Sequence, residues 1–304
     1  MRGAGERMTL LVNTVIWAGL AVLVMYTAAV LYMYLRQRAL LYAPSLERPD
    51  PAACGVGDMQ VVTLRTDDGL ALNAWWLPPA HAEAPVALYC HGNAGSMADC
   101  AFKVAAYRAS GMGVLLFDYR GYGGNAGRPT EQGLYADARS ARRFLLEEQG
   151  VTEDRLVIHG ESLGSGVATQ LALEHPPAAL VLEAAFISIP AVGKLQYPWL
   201  PVHRLTKDRY ESLAKIGRIQ APVLVVHGED DDLVPVDFGR RLHAAAREPK
   251  ELVLLPGAGH ADLFDFGAGE RITGWVAETV EGALRARGQP RTPPGTEASG
   301  VVQG

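Results

Sequence analysis

LVIHGESLGSG, residues 156–166, places one serine between two glycines directly after an apolar run. Gly160-Glu161-Ser162-Leu163-Gly164 fits G-x-S-x-G, the pattern of a nucleophile held on a sharp strand-to-helix turn. Such a turn needs neighbours without side chains, because its strained backbone leaves no room for them. It also sets the serine at a helix N-terminus, where the helix dipole favours developing negative charge. A serine that only caps the helix would look similar over five residues. The flanks favour the nucleophile: a strand-like run precedes the motif and GVATQLALEH follows it.

Working outward, short apolar runs rich in β-branched residues recur at 61–66, 72–78, 86–91, 113–119, 155–160, 179–184, 221–228 and 251–256. Runs of this kind suit strands buried on both faces of a parallel sheet. Asp67-Asp68-Gly69 reads as the turn between the first two. Helical patterns lie between most of the others: one starts at Thr130-Glu131 and stops at Gly150, and two more are DFGRRLHAAARE and RITGWVAETVEGALRAR. Alternating strands and helices predict an α/β fold, a mostly parallel central sheet with helices on both faces.

A nucleophilic serine needs a base, an acid to orient that base, and donors for the oxyanion. His260 stands in LLPGAGHADLF, a glycine-rich loop after the last strand, where α/β sheets build their sites. It is the candidate base, and the role predicts that kcat/KM falls on the acid side as imidazole is protonated. His81, His175, His203 and His243 read as surface residues, and His159 and His227 as structural ones at strand ends. The acid should come from HGEDDDLVP, which offers Glu229, Asp230, Asp231 and Asp232. That cluster lacks a histidine or further carboxylate at ligand spacing, so no metal is expected. For the oxyanion, the elbow supplies the Leu163 N–H, and the loop YCHGNAGS supplies a second, with Asn93 the choice and Ala94 next.

The amino end is a different material. Residues 8–35 carry no charge, and Asn13 is the only strongly polar side chain among them. As a helix the run would span ~42 Å, more than a bilayer's ~30 Å hydrocarbon core. Trp17 lies within the run, and Tyr26, Tyr32 and Tyr34 cluster toward its C-terminal half, where an interfacial aromatic belt can form. A cleaved signal peptide would have a shorter apolar region, and a soluble core helix is rarely so long. The reading is a single-pass transmembrane anchor over 8–35, after a flank at 1–7. Arg2 and Arg7 balance Arg36 and Arg38, so the charges choose no side of the membrane. A linker follows at 36–57, then one domain at 58–288, then a Gly/Pro/Ser/Thr-rich tail at 289–304 that reads as disordered.

Bulk composition excludes little else. The net charge of -5 argues against a nucleic-acid partner. Three cysteines without CxxC spacing argue against a zinc or dithiol motif, and a single Cys54–Cys100 bridge stays open. The glycine-rich stretches GYGGNAG and GESLGSG lack the G-x-G-x-x-G context of a dinucleotide fold.

Taken together, LLYAP, HGNAGS, FDYRGYG, HGESLGSG, YPWLPV, DRYESLAKI, APVLVVHGEDDDLVP and PGAGH resemble the α/β-hydrolase superfamily. More narrowly, the chain is similar to membrane-anchored α/β-hydrolase-domain proteins close to the serine-aminopeptidase-like branch. The resemblance implies the α/β-hydrolase fold and a Ser162, Asp231, His260 catalytic set, with the acid on Asp231 by the pattern His-Gly-x-x-Asp-x-x-Val-Pro. The chemistry of such a set needs no metal or organic cofactor. A membrane anchor near an apolar pocket suggests a small-molecule or lipid-like acyl substrate, while the resemblance also permits amide or peptide bonds. Two positions depart from the family pattern: Asn125 stands where serine is usual, and Ala261 where asparagine follows the histidine. The short segment from Phe186 to Gly217 takes the place of a cap, with Phe186, Ile187, Leu195, Tyr197, Trp199 and Leu200 as candidate pocket residues. The favoured function is hydrolysis of carboxylic esters or acyl thioesters. An amide or peptide hydrolase, and a non-catalytic scaffold of the same fold, are the alternatives.

Overall fold

The apolar runs pair into one eight-stranded sheet in a computed structural model that describes residues 3–284. In chain order its strands are β1 (Gln60–Arg65), β2 (Ala71–Leu77), β3 (Val86–Cys90), β4 (Gly113–Phe117), β5 (Leu156–Glu161), β6 (Ala179–Glu183), β7 (Val223–Gly228) and β8 (Lys250–Leu255). The spatial order is β1-β2-β4-β3-β5-β6-β7-β8. The turn at Asp67-Asp68-Gly69 is too short for a crossover, so β1 and β2 run antiparallel, and β2 meets β4 antiparallel as well. Every remaining pair is parallel.

Both faces of the sheet are covered, which is why strands β3, β4, β6 and β7 are buried along their whole length. On one face lie α3 (Glu131–Arg143), α4 (Leu163–Glu174) and α8 (Val236–Ala245), packed through residues such as Leu134, Val167 and Leu242. The other face holds α2 (Val104–Ala109) and α9 (Ala268–Val276), packed through Tyr107 and Ile272. Thr130 caps α3 by accepting the Gly133 N–H at 3.0 Å, at the start the sequence predicts.

Between β6 and β7 the chain forms a small cap of three short helices, α5 (Ile189–Gln196), α6 (Val202–Leu205) and α7 (Ser212–Ile216). The amino end is a single helix, α1 (Ala4–Leu41), long and apolar enough to cross a membrane. It outruns the uncharged stretch at both ends, so residues 36–41, assigned to the linker from sequence, are helical. Arg36-Gln37-Arg38-Ala39-Leu40-Leu41 contains only good helix formers, and the first proline comes at Pro44. Nor is the rest of that linker a loose tether. Tyr42 and Val56 are buried, and Ala43-Pro44 pairs in parallel with Ala94-Gly95.

The end of α1 is fastened to the cap. Arg38 makes a two-pronged ion pair with Asp208 at 2.7 and 3.0 Å. The Gln37 side chain donates to the Leu205 carbonyl at 3.2 Å and accepts the Lys207 N–H at 2.8 Å. Tyr42 and Tyr210 hydroxyls meet at 2.9 Å. The cysteine bridge left open by the sequence does not form: Cys54, Cys90 and Cys100 are all free. The tail at 289–304 and the last residues assigned to the domain lie outside the described residues.

Candidate active site

Ser162 sits between β5 and α4 with φ 47° and ψ -115°, the strained turn that the motif demands. Its N–H is held by the Glu183 carbonyl at 2.9 Å. The two flanking glycines are dictated by space. A Cβ on Gly160 would lie 2.4 Å from the Gly164 carbonyl oxygen, and one on Gly164 only 2.0 Å from that of Cys90. The elbow is thus pressed against the end of β3, which brings the next loop beside the serine.

The three residues drawn from separate loops converge. His260 Nε2 stands 2.9 Å from Ser162 Oγ, and His260 Nδ1 stands 2.7 Å from Asp231 Oδ2. Asp231 is buried, while Glu229, Asp230 and Asp232 are exposed, so one carboxylate of the run turns inward. Its other oxygen accepts the Leu233 and Val234 N–H groups at 3.0 and 2.8 Å. Burial pushes the Asp231 carboxyl up, but hydrogen bonds from His227, His260 and Val234 outweigh it and hold the group well below the ordinary carboxylate range. His227 is fully buried behind Asp231, its Nε2 donating to the Val234 carbonyl at 2.8 Å and lying 3.3 Å from Asp231 Oδ2. Structural roles suit both His227 and His159, as the sequence suggests, and His81, His175, His203 and His243 are exposed or half-buried.

Asn93 and Leu163 border the same pocket as Ser162. Leu163 is the first residue of α4, so its N–H has no partner within the helix. Asn93 is pinned through other atoms: its amide donates to the Leu41 carbonyl at 3.0 Å, and its carbonyl accepts from Ala43 N–H and the Tyr122 hydroxyl at 3.0 and 2.8 Å. Asn125, the departure from the family pattern, has its own role. It accepts the Asn73 N–H at 2.9 Å and donates to the Asp118 carbonyl at 2.8 Å, tying β2 to the loop after β4.

The pocket only partly follows the sequence reading. Phe186, Tyr197 and Leu200 line it. Ile187 is buried in the core instead, and Leu195 and Trp199 point outward at 52% and 51% exposure. The wall they were expected to form comes from α1, through Val30, Met33, Tyr34, Gln37, Leu40 and Leu41. An apolar run gives no sign in sequence that its last turns face a catalytic loop. The cavity is about 210 Å³. Among the described residues, no group of three or more His, Cys, Asp or Glu side chains converges as metal ligands.

Behind the elbow lies a buried polar cluster that the sequence did not announce. Lys103 Nζ reaches Glu183 at 2.7 Å, Glu161 at 2.9 Å and the Tyr89 hydroxyl at 2.9 Å. Tyr89 also hydrogen-bonds Glu161, and His159 joins the Tyr107 hydroxyl to Glu183, 3.0 Å away. Burial lowers the Lys103 affinity for its proton, but the two carboxylates overcome this and raise it. Glu183 is opposed by burial too, yet Lys103 and His159 hold it below its ordinary value.

A second buried pair supports the loop of Asn93. Asp118 accepts the Met97 N–H at 2.7 Å and lies 3.5 Å from His91 Nε2. Burial pushes Asp118 up to about 7 and His91 down to about 4. A carboxyl whose folded value exceeds its unfolded ~3.9 stabilises most at low pH, and this contribution is lost as pH rises toward 7. Asp118→Asn removes that loss. Between pH 5 and 8 the variant should gain about 3 kcal/mol on the wild type. Thermal melts across this range read the gain directly, and parallel melting curves would contradict it.

The family described as serine aminopeptidase, S33, matches residues 81–207. An uncharacterized Mycobacterium tuberculosis protein, Rv2307c, is 46% identical over 238 residues, covering 78% of this chain and 84% of its own. The α/β-hydrolase domain-containing protein 17C of Xenopus tropicalis is 28% identical, covering 67% of this chain and 65% of its own. The Pyrococcus furiosus esterase Pf2001 superposes with a TM-score of 0.64 at 18% identity, over 79% of this chain and 99% of the esterase, which is a likeness of fold.

Proposed function

The chain belongs to the α/β-hydrolase superfamily, and on that premise we propose that it is a serine hydrolase of lipophilic carboxylic esters or acyl thioesters. The observation that carries the reading is the Ser162–His260–Asp231 line of hydrogen bonds at the edge of a largely apolar pocket. His260 takes the Ser162 proton as Oγ attacks the acyl carbon. Asp231 keeps the imidazole tautomer that leaves Nε2 free to accept, and stabilises the imidazolium. The Asn93 and Leu163 N–H groups receive the oxyanion, a kind of donor worth roughly 2.7–4 kcal/mol each. The imidazolium then protonates the leaving alcohol or thiol. Water, deprotonated by His260, attacks the acyl-enzyme and releases the acid. These steps call for no metal and no organic cofactor.

Ester chemistry is favoured over aminopeptidase chemistry by the lining. Binding a free α-ammonium needs an available carboxylate, and the one carboxylate among the lining residues is Asp208, already occupied by Arg38. In this reading α1 is a single-pass membrane anchor, supported by its length and apolarity, and the domain it carries begins near residue 58.

A fluorophosphonate probe tests the nucleophile. The purified full chain is treated and the adduct mapped by mass spectrometry. Labelling is expected at Ser162 and absent in Ser162→Ala. Folded protein that takes no label would overturn the reading and leave a binding scaffold in its place.

A further inference from the structure

We propose that the cap segment, residues 189–209, is a second membrane contact that seats the pocket mouth on the surface of an anionic bilayer. The inference rests on the reading of α1 as a membrane span, and it assigns a partner to a surface that reading leaves bare.

Leu195 and Trp199 form an exposed apolar edge on the cap, away from the pocket lining. Trp199 is fixed against α1: its carbonyl accepts the Tyr26 hydroxyl at 3.2 Å, and the two rings meet edge to face at 6.3 Å. About 20 helical residues cross the hydrocarbon core, and the uncharged run starts at Met8. Counted from there, the core ends near Thr27. Tyr26 and Trp199 then stand at the boundary, the level that both residue types favour.

The run is long enough to slide, and the cap's own charges fix where it stops. If residues 16–35 filled the core, Tyr26 would lie near mid-bilayer and drag Trp199 and nearby Lys194 into hydrocarbon, where a charge is costly. With the core ending near Thr27, Lys194 falls at headgroup level instead, while Arg36, Arg204 and Lys207 stand about 10–15 Å beyond the core, just outside the headgroups and within a Debye length of their charge. All four are exposed, and among the described residues none has a carboxylate partner. Lys207 Nζ rests over the Tyr34 ring at 4.1 Å. The only acid in 189–209 is Asp208, buried and paired with Arg38. The surface offered to the headgroups is therefore cationic, which fits anionic lipid. At headgroup level the pocket runs between Val30 and Met33 of α1 and Val192 and Tyr197 of the cap. An acyl chain could enter there without crossing water.

The test places the full chain, with Trp17→Phe to remove the other membrane indole, in vesicles of phosphatidylcholine alone or mixed with phosphatidylglycerol. Lipids brominated near the top of their acyl chains serve as quenchers. The expected result is quenching that disappears in Trp199→Phe, is stronger with phosphatidylglycerol, and weakens in Arg204→Glu/Lys207→Glu. Hydrolysis of a water-soluble short-chain ester should be unchanged in these variants, since none of the three residues lines the pocket. Quenching that does not depend on Trp199 overturns the proposal. Equal quenching in both vesicles overturns its anionic partner. Carbonate extraction reports separately on α1: a chain released by carbonate defeats the span reading itself. Loss of short-ester hydrolysis in the unmutated chain, with Trp199 still quenched, defeats the hydrolase reading and leaves the surface standing.

Discussion

Asp231→Asn should lower kcat on a short-chain ester by on the order of 10⁴-fold, with KM little changed. Asp231 Oδ1 accepts two backbone N–H groups, and an asparagine carbonyl can keep both. The amide NH₂ must then occupy the Oδ2 position, facing His260 Nδ1 at 2.7 Å and His227 Nε2 at 3.3 Å. His227 Nε2 already donates to the Val234 carbonyl and cannot turn into an acceptor without losing that bond. His260 therefore yields: Nδ1 becomes the acceptor and Nε2 carries the proton toward Ser162. A protonated Nε2 cannot take the serine proton, so the chemical step fails while the pocket is untouched. Steady-state kinetics of the variant, beside its thermal melt, decide the matter. A kcat within tenfold of wild type would falsify the role assigned to Asp231.

The contrast between what the residues announced and what they concealed follows from range. Strand boundaries were legible because parallel strands buried on both faces must be apolar throughout, as in Val86–Cys90 and Val223–Gly228. The elbow was legible because its serine and both glycines fall within five consecutive residues, although the contact that excludes a side chain on Gly164 is the distant Cys90 carbonyl. Asp231 could be picked from its acidic neighbours only through the family pattern, since nothing local distinguishes a carboxylate that turns inward. The α1 wall of the pocket was hidden for a different reason. An uncharged helix has the same composition whether its last turns face lipid, solvent or a substrate. Trp199 and Leu195 were misplaced for the same cause: aromatic and aliphatic residues in a cap suit a pocket and an outer face equally well. The cluster around Lys103 was invisible because its members come from α2's approach, β3, β5 and β6, and no spacing within one element links them.

Lys103→Met should destabilise the chain by about 3–5 kcal/mol at pH 7, because it leaves buried carboxylates without their cation. For a domain of this size, that is a fall in Tm of roughly 10 °C. Glu183 is fully enclosed and its charge is matched by Lys103 and by the hydrogen bond from His159. Glu161, which borders Ser162, is partly open and can recruit water, so Glu183 bears most of the loss. The pH dependence carries the sign. In the wild type Glu183 is held below its ordinary value, so its contribution is present above pH ~4.5 and is lost as pH falls further. Without Lys103 the same carboxyl, dominated by burial, binds a proton at higher pH. The gap in Tm between variant and wild type should therefore narrow as pH drops from 7 to 5. Adding Glu183→Met to Lys103→Met should recover much of the stability, since an apolar pair of similar volume can replace a buried ion pair. Activity should fall in Lys103→Met as well, because the Glu183 carbonyl holds the Ser162 N–H and any shift of β6 moves the elbow. Thermal melts of the single and double variants at both pH values read all of this. A Lys103→Met chain that melts with the wild type at pH 7 would show that the cluster bears no weight in the fold.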